Sequence, residues 1–226
     1  MQPHDLKLFA VSKMFRWLAT PEQTQYGQCL VLDLDETLLN TRSGSEKATD
    51  EIKAHPDYYT VTTREGVFWG MKRPYLDDFL AYCGTRFEAI GFWSAGKEGY
   101  VNEVLRVMAP PFQPAFVMNF NHCDQVHAEH VSESGTVSYN PELWKPLNTV
   151  FDKYPQFTRY NTFIVDDRQD YARGNLLNWV IIRPFSPSLK NLLPATDDYL
   201  LRLMDWFERE EVKYNPNVLE IDKNWL

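Results

Sequence analysis

Short apolar runs that end in polar residues recur along the chain and predict buried strands. Four such runs lie at 28–35, 87–96, 161–167 and 178–185. Each is rich in Val, Ile, Leu or Phe, and runs this short and this apolar are typical of strands covered on both faces. We therefore predict a mostly parallel sheet at the centre of an α/β fold.

Amphipathic segments separate these runs and predict helices. Apolar residues recur at helical spacing after Arg73-Pro74, at 98–109, after Pro146 and over 196–211. Strands that alternate with helices favour a Rossmann-like parallel sheet flanked by helices. A further amphipathic stretch at 6–18 predicts an N-terminal helix, with a mitochondrial presequence as the alternative.

Two polar stretches interrupt this alternation and predict insertions. Residues 41–57 are polar and charged and predict a loop, whereas 58–70 alternate around a turn and predict a β-hairpin. Residues 110–140 indicate irregular or β structure. We expect one domain over 1–226, with these insertions at about 41–70 and 110–140.

Composition and charge narrow the class of protein. Hydrophobic residues make up 44% and charged residues 24% of the 226 residues, which is ordinary for a globular protein and argues against disorder. A formal net charge of −8 disfavours a general nucleic-acid coat. Three cysteines cannot all pair with one another, and no apolar run is long enough to cross a bilayer. We expect an intracellular protein of the nucleus or cytoplasm that binds no membrane.

The polar residues that follow the predicted strands indicate a metal site. Asp33 and Asp35 follow the first strand, and Asp166 and Asp167 follow a later one. In parallel sheets ligands bind at the carboxyl ends of strands, near the point where strand order reverses. Carboxylates this close repel unless a cation compensates, and oxygen ligands without His or Cys suit Mg²⁺ best.

The same residue types suit phosphoryl transfer. An aspartate can attack a phosphoryl group and form an aspartyl-phosphate, but the anionic group it attacks must first be neutralised and held. Thr37, Ser94 and Lys145 lie where hydroxyl and ammonium groups could hold phosphate. Asp35 could protonate the leaving oxygen and later activate water.

These residues resemble a known family of phosphatases. Asp33-Leu34-Asp35-Glu36-Thr37 resembles the D-x-D-x-T signature of haloacid dehalogenase-superfamily phosphatases. The longer sequence through Leu38 is similar to that of the branch that dephosphorylates the C-terminal domain of RNA polymerase II. Its other motifs are matched in order by Arg73-Pro74, Trp93-Ser94-Ala95, Lys145-Pro146-Leu147 and Val165-Asp166-Asp167. These motif sequences are most similar to those in the catalytic module of members that also carry a ubiquitin-like domain.

The resemblance implies a role for each motif residue. Asp33 would be the nucleophile and Asp35 the general acid and base. The phosphate would be held by Thr37, Ser94 and Lys145. Magnesium would be bound by Asp33, the backbone carbonyl of Asp35 and Asp167, with Asp166 in or next to that shell. Small members of the branch carry Asn in place of Asp167, which leaves the ligand assignment within the pair open.

The resulting hypothesis is an Mg²⁺-dependent phosphatase for phosphoserine and phosphothreonine proteins, with the polymerase C-terminal domain as a candidate substrate. One alternative keeps the fold and acts on nucleotides or other small phosphate monoesters. Another is a catalytically idle scaffold, in which the tail at 212–226 docks a partner. The 28 residues up to the first motif are too few for a ubiquitin-like domain, so we expect that the targeting such a domain provides is either absent or supplied by a partner protein.

Two other groups receive a structural interpretation. Zinc is commonly bound by His and Cys, and four such residues lie close together in the sequence at His122, Cys123, His127 and His130. Their irregular spacing, without a second Cys pair, favours a solvated hairpin instead. Arg73 is interpreted as a structural residue that caps the following helix or pairs with Asp77.

Overall fold

The fold is described from a computed structural model that covers residues 27–131, 137–187 and 197–225, with the backbone alone for 126–131 and 137–141. In chain order the strands are β1 (Cys29–Leu32), β2 (Leu39–Ser43), β3 (Tyr58–Thr63), β4 (Gly66–Lys72), β5 (Ala89–Trp93), β6 (Phe116–Met118), β7 (Asp124–Val131), β8 (Val137–Trp144), β9 (Thr162–Asp166) and β10 (Trp179–Ile181). The α-helices are α1 (Asp50–Lys53), α2 (Leu76–Arg86), α3 (Glu98–Met108), α4 (Asn148–Lys153), α5 (Tyr199–Phe207) and α6 (Glu210–Lys213).

Five parallel strands form the central sheet in the order β10-β9-β1-β5-β6. The predicted α/β class, with a parallel sheet flanked by helices, is therefore confirmed. The four predicted strands correspond to β1, β5, β9 and β10. The fifth, β6, lies within the segment for which only irregular or β structure was predicted, because three residues are too few to produce a pattern.

The order of the strands places a switch point beside β1. From β1 the chain moves outward on one side through β5 and β6, and later returns to the other side for β9 and β10. Connections therefore leave β1 and β9 in opposite directions, which opens a crevice at their carboxyl ends. Asp33 follows β1, Asp166 ends β9, and both residues reach this crevice.

The core forms on both faces of the sheet because alternate residues of β1 point to opposite sides. Leu30 and Leu32 belong to a large cluster that includes Phe79 and Leu80 of α2. Cys29 and Val31 belong to a second cluster with helix α4. All four of these β1 side chains are fully buried, so the strand that leads into Asp33 is rigidly held.

A three-stranded antiparallel sheet, β2-β4-β3, is inserted between β1 and α2. The predicted hairpin is confirmed by β3 and β4, but the predicted loop at 41–57 is wrong. It contains part of β2 and the short helix α1. Strand β2 has the sequence Leu-Asn-Thr-Arg-Ser, and without alternating apolar residues its strand conformation depends on pairing with β4.

The remaining elements follow the predictions with one correction. Strands β7 and β8 pair as the hairpin predicted in place of a zinc site. The predicted last helix over 196–211 is instead two helices, since the extended backbone of Arg209 separates α5 from α6. This break turns the chain back, and Val218, Ile221 and Trp225 of the tail pack into the large cluster. The predicted helix at 6–18 lies outside the described residues.

Within the described residues, no helix is both long enough and apolar enough to pass through a membrane.

Candidate active site

A single tight turn after β1 positions the first motif. The backbone N–H of Asp33 still donates to Val165 in β9 at 3.0 Å, so this residue remains aligned with the sheet. The chain then turns, with Leu38 donating to the carbonyl of Leu34 at 2.8 Å. Glu36 adopts a left-handed conformation with φ of 57°, which is unusual for a side chain of this size. The turn brings Asp33, Asp35 and Thr37 to one end of the sheet.

Lys145 is the central cation of the site and is completely buried. Its Nζ lies 2.6 Å from Asp33 Oδ1 and 2.7 Å from Asp166 Oδ2. Its backbone N–H donates to the carbonyl of Tyr171 at 3.0 Å, which holds the end of β8 against the segment after β9. Lys145 thus links the carboxyl ends of β1 and β9.

Three carboxylates surround this cation. One oxygen atom from each of Asp33, Asp166 and Asp167 lies within 4.8 Å of the others. Together with the Lys145 ammonium, they carry a formal charge of −2. Among the described side chains this group alone has the spacing of a metal site, so His122 and Cys123 form no such group there. The side chains of His127 and His130 lie outside the described ones.

The group fits a small divalent cation. All its donors are hard oxygen atoms, which Mg²⁺ prefers. In octahedral coordination with bonds of about 2.1 Å, ligand oxygens lie about 3 to 4.2 Å apart, so only a small contraction is needed. A charge of +2 would neutralise the −2 that Lys145 leaves uncompensated. Asp167 is half-buried and is the most accessible of the three carboxylates.

The electrostatics reflect this crowding. Burial alone would lower the pKa of Lys145, but Asp166 and Asp33 outweigh that effect and raise it above its ordinary value. Burial raises the pKa of Asp166, and the Lys145 ammonium offsets only part of the lost hydration. Burial, then the charges of Asp33 and Glu36, raise the pKa of Asp167 to about 6. Each shift arises from negative charge held away from water.

The predicted hydroxyl residues lie beside Asp167 and Asp35. Thr37 is fully buried, and its Oγ1 accepts a hydrogen bond of 3.1 Å from the backbone N–H of Asp167. Ser94 follows β5, accepts from Gly96 N–H at 2.9 Å and lies 3.4 Å from Asp35 Oδ2. The structure therefore brings together every residue predicted for the site, while their roles remain predictions.

Asp35 is separate from the three-carboxylate group. Its carboxylate accepts a short hydrogen bond from the hydroxyl group of Tyr100 in α3 and the longer one from Ser94. Burial raises the pKa of Asp35 to about 6, against the lowering effect of the Tyr100 hydrogen bond. Asp35 also lines a cavity of about 320 Å³ with Phe68 and Tyr100. The Asp35 side chain thus faces open space.

Arg73 stabilises the first motif by binding its backbone at Thr37. Its Nε and Nη2 donate to the Asp197 carboxylate at 2.9 and 3.0 Å, and Nη1 donates to the Thr37 carbonyl at 2.8 Å. The structural interpretation is therefore correct, but the suggested pairing with Asp77 is wrong. Asp77 lies 3.5 Å from Lys72. The partner of Arg73 is instead Asp197, whose two oxygens accept from the planar guanidinium.

Sequence reasoning missed Tyr100 as a site residue. Its position fitted the apolar stripe of the helix at 98–109, and only the hydroxyl group distinguishes it from a packing residue. Thr41 and Tyr59, whose hydroxyl groups lie beyond Tyr100, were missed because they belong to the inserted sheet. A tyrosine six residues after Ser94 was the one local signal.

The fold and the site together define a class of protein. A parallel sheet whose central strand enters Asp-x-Asp-x-Thr, with a hydroxyl residue, a lysine and an acidic pair at neighbouring strand ends, is a haloacid dehalogenase-like fold. The chain matches the family model described as NLI interacting factor-like phosphatase over residues 28–218. It belongs to that family, which confirms the resemblance carried by the motifs.

Curated relatives agree with this assignment. The chain is 28% identical to ubiquitin-like domain-containing CTD phosphatase 1 of Drosophila melanogaster, over 85% of this chain and 51% of that protein. It thus spans about half the length of this relative. It is 26% identical to a putative CTD phosphatase-like protein of Invertebrate iridescent virus 6, over 80% of this chain and 97% of that protein.

Solved structures share the fold. A variant of the fission yeast RNA polymerase II CTD phosphatase Fcp1, bound to beryllium fluoride, matches 87% of this chain and 54% of its own, with a TM-score of 0.52 and 16% identity. A second structure of Fcp1, described as an essential RNA polymerase II CTD phosphatase, matches with a TM-score of 0.50. At this identity the likeness establishes the fold alone.

Proposed function

We propose that this protein is an Mg²⁺-dependent protein serine/threonine phosphatase that acts through a phospho-aspartate on Asp33. The observation that carries the proposal is the buried Lys145 between Asp33 and Asp166, beside the accessible carboxylate of Asp167. Such a site combines a nucleophile, a fixed positive charge and an excess of negative charge that a divalent cation would neutralise. Membership of a phosphatase family supports the same conclusion.

In the proposed first step, a carboxylate oxygen of Asp33 attacks the phosphorus atom, and the bond between phosphorus and the ester oxygen breaks. Asp35 donates a proton to the departing oxygen. In the second step Asp35 takes a proton from water, whose oxygen attacks the phosphorus and releases inorganic phosphate. Asp33 is regenerated as a carboxylate. The raised pKa of Asp35, at about 6, suits a group that must both donate and accept a proton.

The other residues hold the phosphoryl group. Lys145 and the hydroxyl groups of Thr37 and Ser94 would bind its oxygens once substrate enters. Magnesium would be held by Asp33, Asp166 and Asp167, with the backbone carbonyl of Asp35 as a further ligand. When bound, it would neutralise charge on the phosphoryl group and on the nucleophile.

The reaction is tested by hydrolysis of p-nitrophenyl phosphate. We expect turnover with millimolar Mg²⁺ and none after chelation, because the site is left with a charge of −2. Asp33→Asn should lower kcat by at least about 10⁴-fold, since a nucleophile cannot be replaced by its neighbours. The matched control is Asp205→Asn, which alters an exposed aspartate of α5 and should leave activity unchanged. Equal hydrolysis without metal, or by Asp33→Asn, would contradict this mechanism.

The proposed substrate is a phosphoprotein, with the RNA polymerase II C-terminal domain as the first candidate. Support comes from the names of the relatives and from the open cavity beside Asp35. A panel of phosphoserine and phosphothreonine peptides and nucleotides, compared by kcat/KM, tests the choice. Higher values for nucleotides would replace the protein substrate with a small phosphate monoester.

The proposal includes three wider statements. Residues 1–226 form one domain, the protein acts in the nucleus or cytoplasm, and a partner protein supplies targeting. The three free cysteines suit a reducing compartment. Resistance of the folded chain to limited proteolysis tests the first statement, localisation of the tagged chain tests the second, and cross-linking in cells tests the third.

A further inference from the structure

A chain of three hydroxyl groups ends on Asp35. The hydroxyl group of Tyr100 donates to Asp35 Oδ1 and lies 2.5 Å from Thr41 Oγ1. Thr41 Oγ1 in turn lies 2.6 Å from the hydroxyl group of Tyr59. The three residues come from α3, β2 and β3, so the chain connects the inserted sheet with the loop of the first motif.

The direction of these hydrogen bonds follows from the number of protons. An ionised Asp35 carboxylate only accepts, so Tyr100 must use its one hydroxyl proton there. Tyr100 then accepts from Thr41, and Thr41 accepts from Tyr59. Each hydroxyl group donates once and accepts no more than once, and each bond strengthens the next.

Two glycines make room for the two tyrosine rings. A Cβ atom at Gly96 would lie 2.6 Å from Cδ1 of Tyr100, and one at Gly70 would lie 2.5 Å from the hydroxyl group of Tyr59. Both distances are much shorter than van der Waals contacts allow. The close approach of each ring therefore depends on glycine at that position.

The hydrogen bonds leave the two oxygens of Asp35 in different situations. The hydroxyl group of Thr41 also lies within hydrogen-bonding range of the carboxylate. Oδ1 is held by the short bond from Tyr100, whereas the hydrogen bond from Ser94 to Oδ2 is 3.4 Å long. A hydrogen bond of that length is weak. Oδ2 is therefore the oxygen free to face the ester oxygen of a bound substrate.

We propose that Tyr100 is a positioning residue that holds Oδ1 of Asp35, so that Oδ2 delivers the proton to the leaving group, and that Thr41 and Tyr59 support it. This inference rests on the proposed phosphatase function. Tyr100 acts through Asp35 and need not touch the reacting atoms. The inserted sheet then contributes to catalysis by aligning the acid.

Leaving-group dependence separates positioning from simple packing. A correctly placed acid matters most when the leaving oxygen is strongly basic, as in phenyl phosphate, and least for p-nitrophenyl phosphate. Tyr100→Phe retains the ring and its edge contact with Phe68, and it removes only the hydroxyl group. We expect kcat/KM to fall about tenfold for phenyl phosphate and less than twofold for p-nitrophenyl phosphate, the order expected of one charge-assisted hydrogen bond.

A second variant tests the same series of hydrogen bonds at Thr41. Thr41→Val keeps the shape of the side chain and removes the donor to Tyr100, so the same leaving-group dependence should appear at about threefold. If Tyr100→Phe fails to fold, Thr41→Val decides the question alone. The matched control is Tyr82→Phe, which deletes a hydroxyl group bonded to Glu208 outside the site and should change neither substrate.

The outcomes distinguish this inference from the proposed function. Loss of equal size for both substrates, or no loss in either variant, overturns the positioning role of Tyr100. Wild-type protein without Asp33-dependent hydrolysis would instead overturn the phosphatase proposal on which the inference rests. A loss that grows with the basicity of the leaving group supports both.

Discussion

Arg73 and Lys145 are both buried cations that immediately precede a proline, yet their surroundings differ. Arg73 is 1% exposed and Lys145 is 0% exposed. Arg73 faces one carboxylate, that of Asp197, and two further N–H groups donate to the carbonyls of Thr37 and Arg183. The rings of Phe185 and Tyr199 lie 5.6 and 5.4 Å from its guanidinium carbon.

Lys145 is outnumbered by its partners. It contacts two carboxylates, and a third completes the acidic group. The charge around Arg73 is balanced within the protein, whereas the three carboxylates around Lys145 leave an excess negative charge that the proposed Mg²⁺ would balance. The comparison teaches that a buried cation whose charge is balanced by its partners stabilises the fold. A buried cation surrounded by an excess of carboxylates leaves charge that is available for chemistry.

The largest expected effect concerns activity. Lys145→Met should lower kcat/KM for p-nitrophenyl phosphate by about 10³-fold, because a preorganised positive charge at the phosphoryl group is lost. Arg73→Met, assayed at a temperature where it is folded, should lose less than tenfold. Similar losses in both variants would remove the distinction between the two cations.

The next effect concerns stability. Arg73→Met should lower the free energy of unfolding in urea by about 3 kcal/mol or more, because the Asp197 carboxylate and two carbonyls lose their partner. Millimolar Mg²⁺ should stabilise Arg73→Met and the wild-type protein equally, by about 2.7 kcal/mol at a hundred times Kd, because the acidic group is intact in both, so the difference between them should remain. Lys145→Met is also destabilised, but loss of the ammonium group leaves more negative charge for Mg²⁺ to neutralise, so Mg²⁺ should narrow its difference from the wild-type protein. An Mg²⁺-induced narrowing of the difference between Arg73→Met and the wild-type protein would contradict the comparison.

The smallest effect concerns the affinity for metal. In the wild-type protein Mg²⁺ should raise the midpoint of thermal unfolding, and chelation should reverse the increase. Asp167→Asn keeps the shape of the ligand and removes one charge, so we expect about tenfold weaker binding, or about 1.4 kcal/mol. Calorimetric titration measures this, with Asp170→Asn as a nearby exposed control. An unchanged affinity would contradict a contribution of the Asp167 charge to metal binding.

Much of the site was predictable because its residues lie at the ends of apolar strands. Asp33, Ser94 and Asp166 each follow or end a buried strand, and parallel strands bring such positions to one edge. The inserted sheet was only partly predictable, since β2 has no apolar alternation and needs β4 beside it. Tyr100 escaped because a helical stripe does not distinguish a packing ring from a hydrogen-bonding one.

The sequence by itself determined the α/β class, the edge of the sheet that holds the site and the residues gathered there. These follow from local patterns, because burial of alternate or helically spaced side chains depends on near neighbours. Only the tertiary structure decided which charges pair. Asp77 lies four residues after Arg73, yet Arg73 binds Asp197, 124 positions away. Coulomb energy and hydrogen-bond geometry depend on distances in space, and the crossovers of the sheet set those distances.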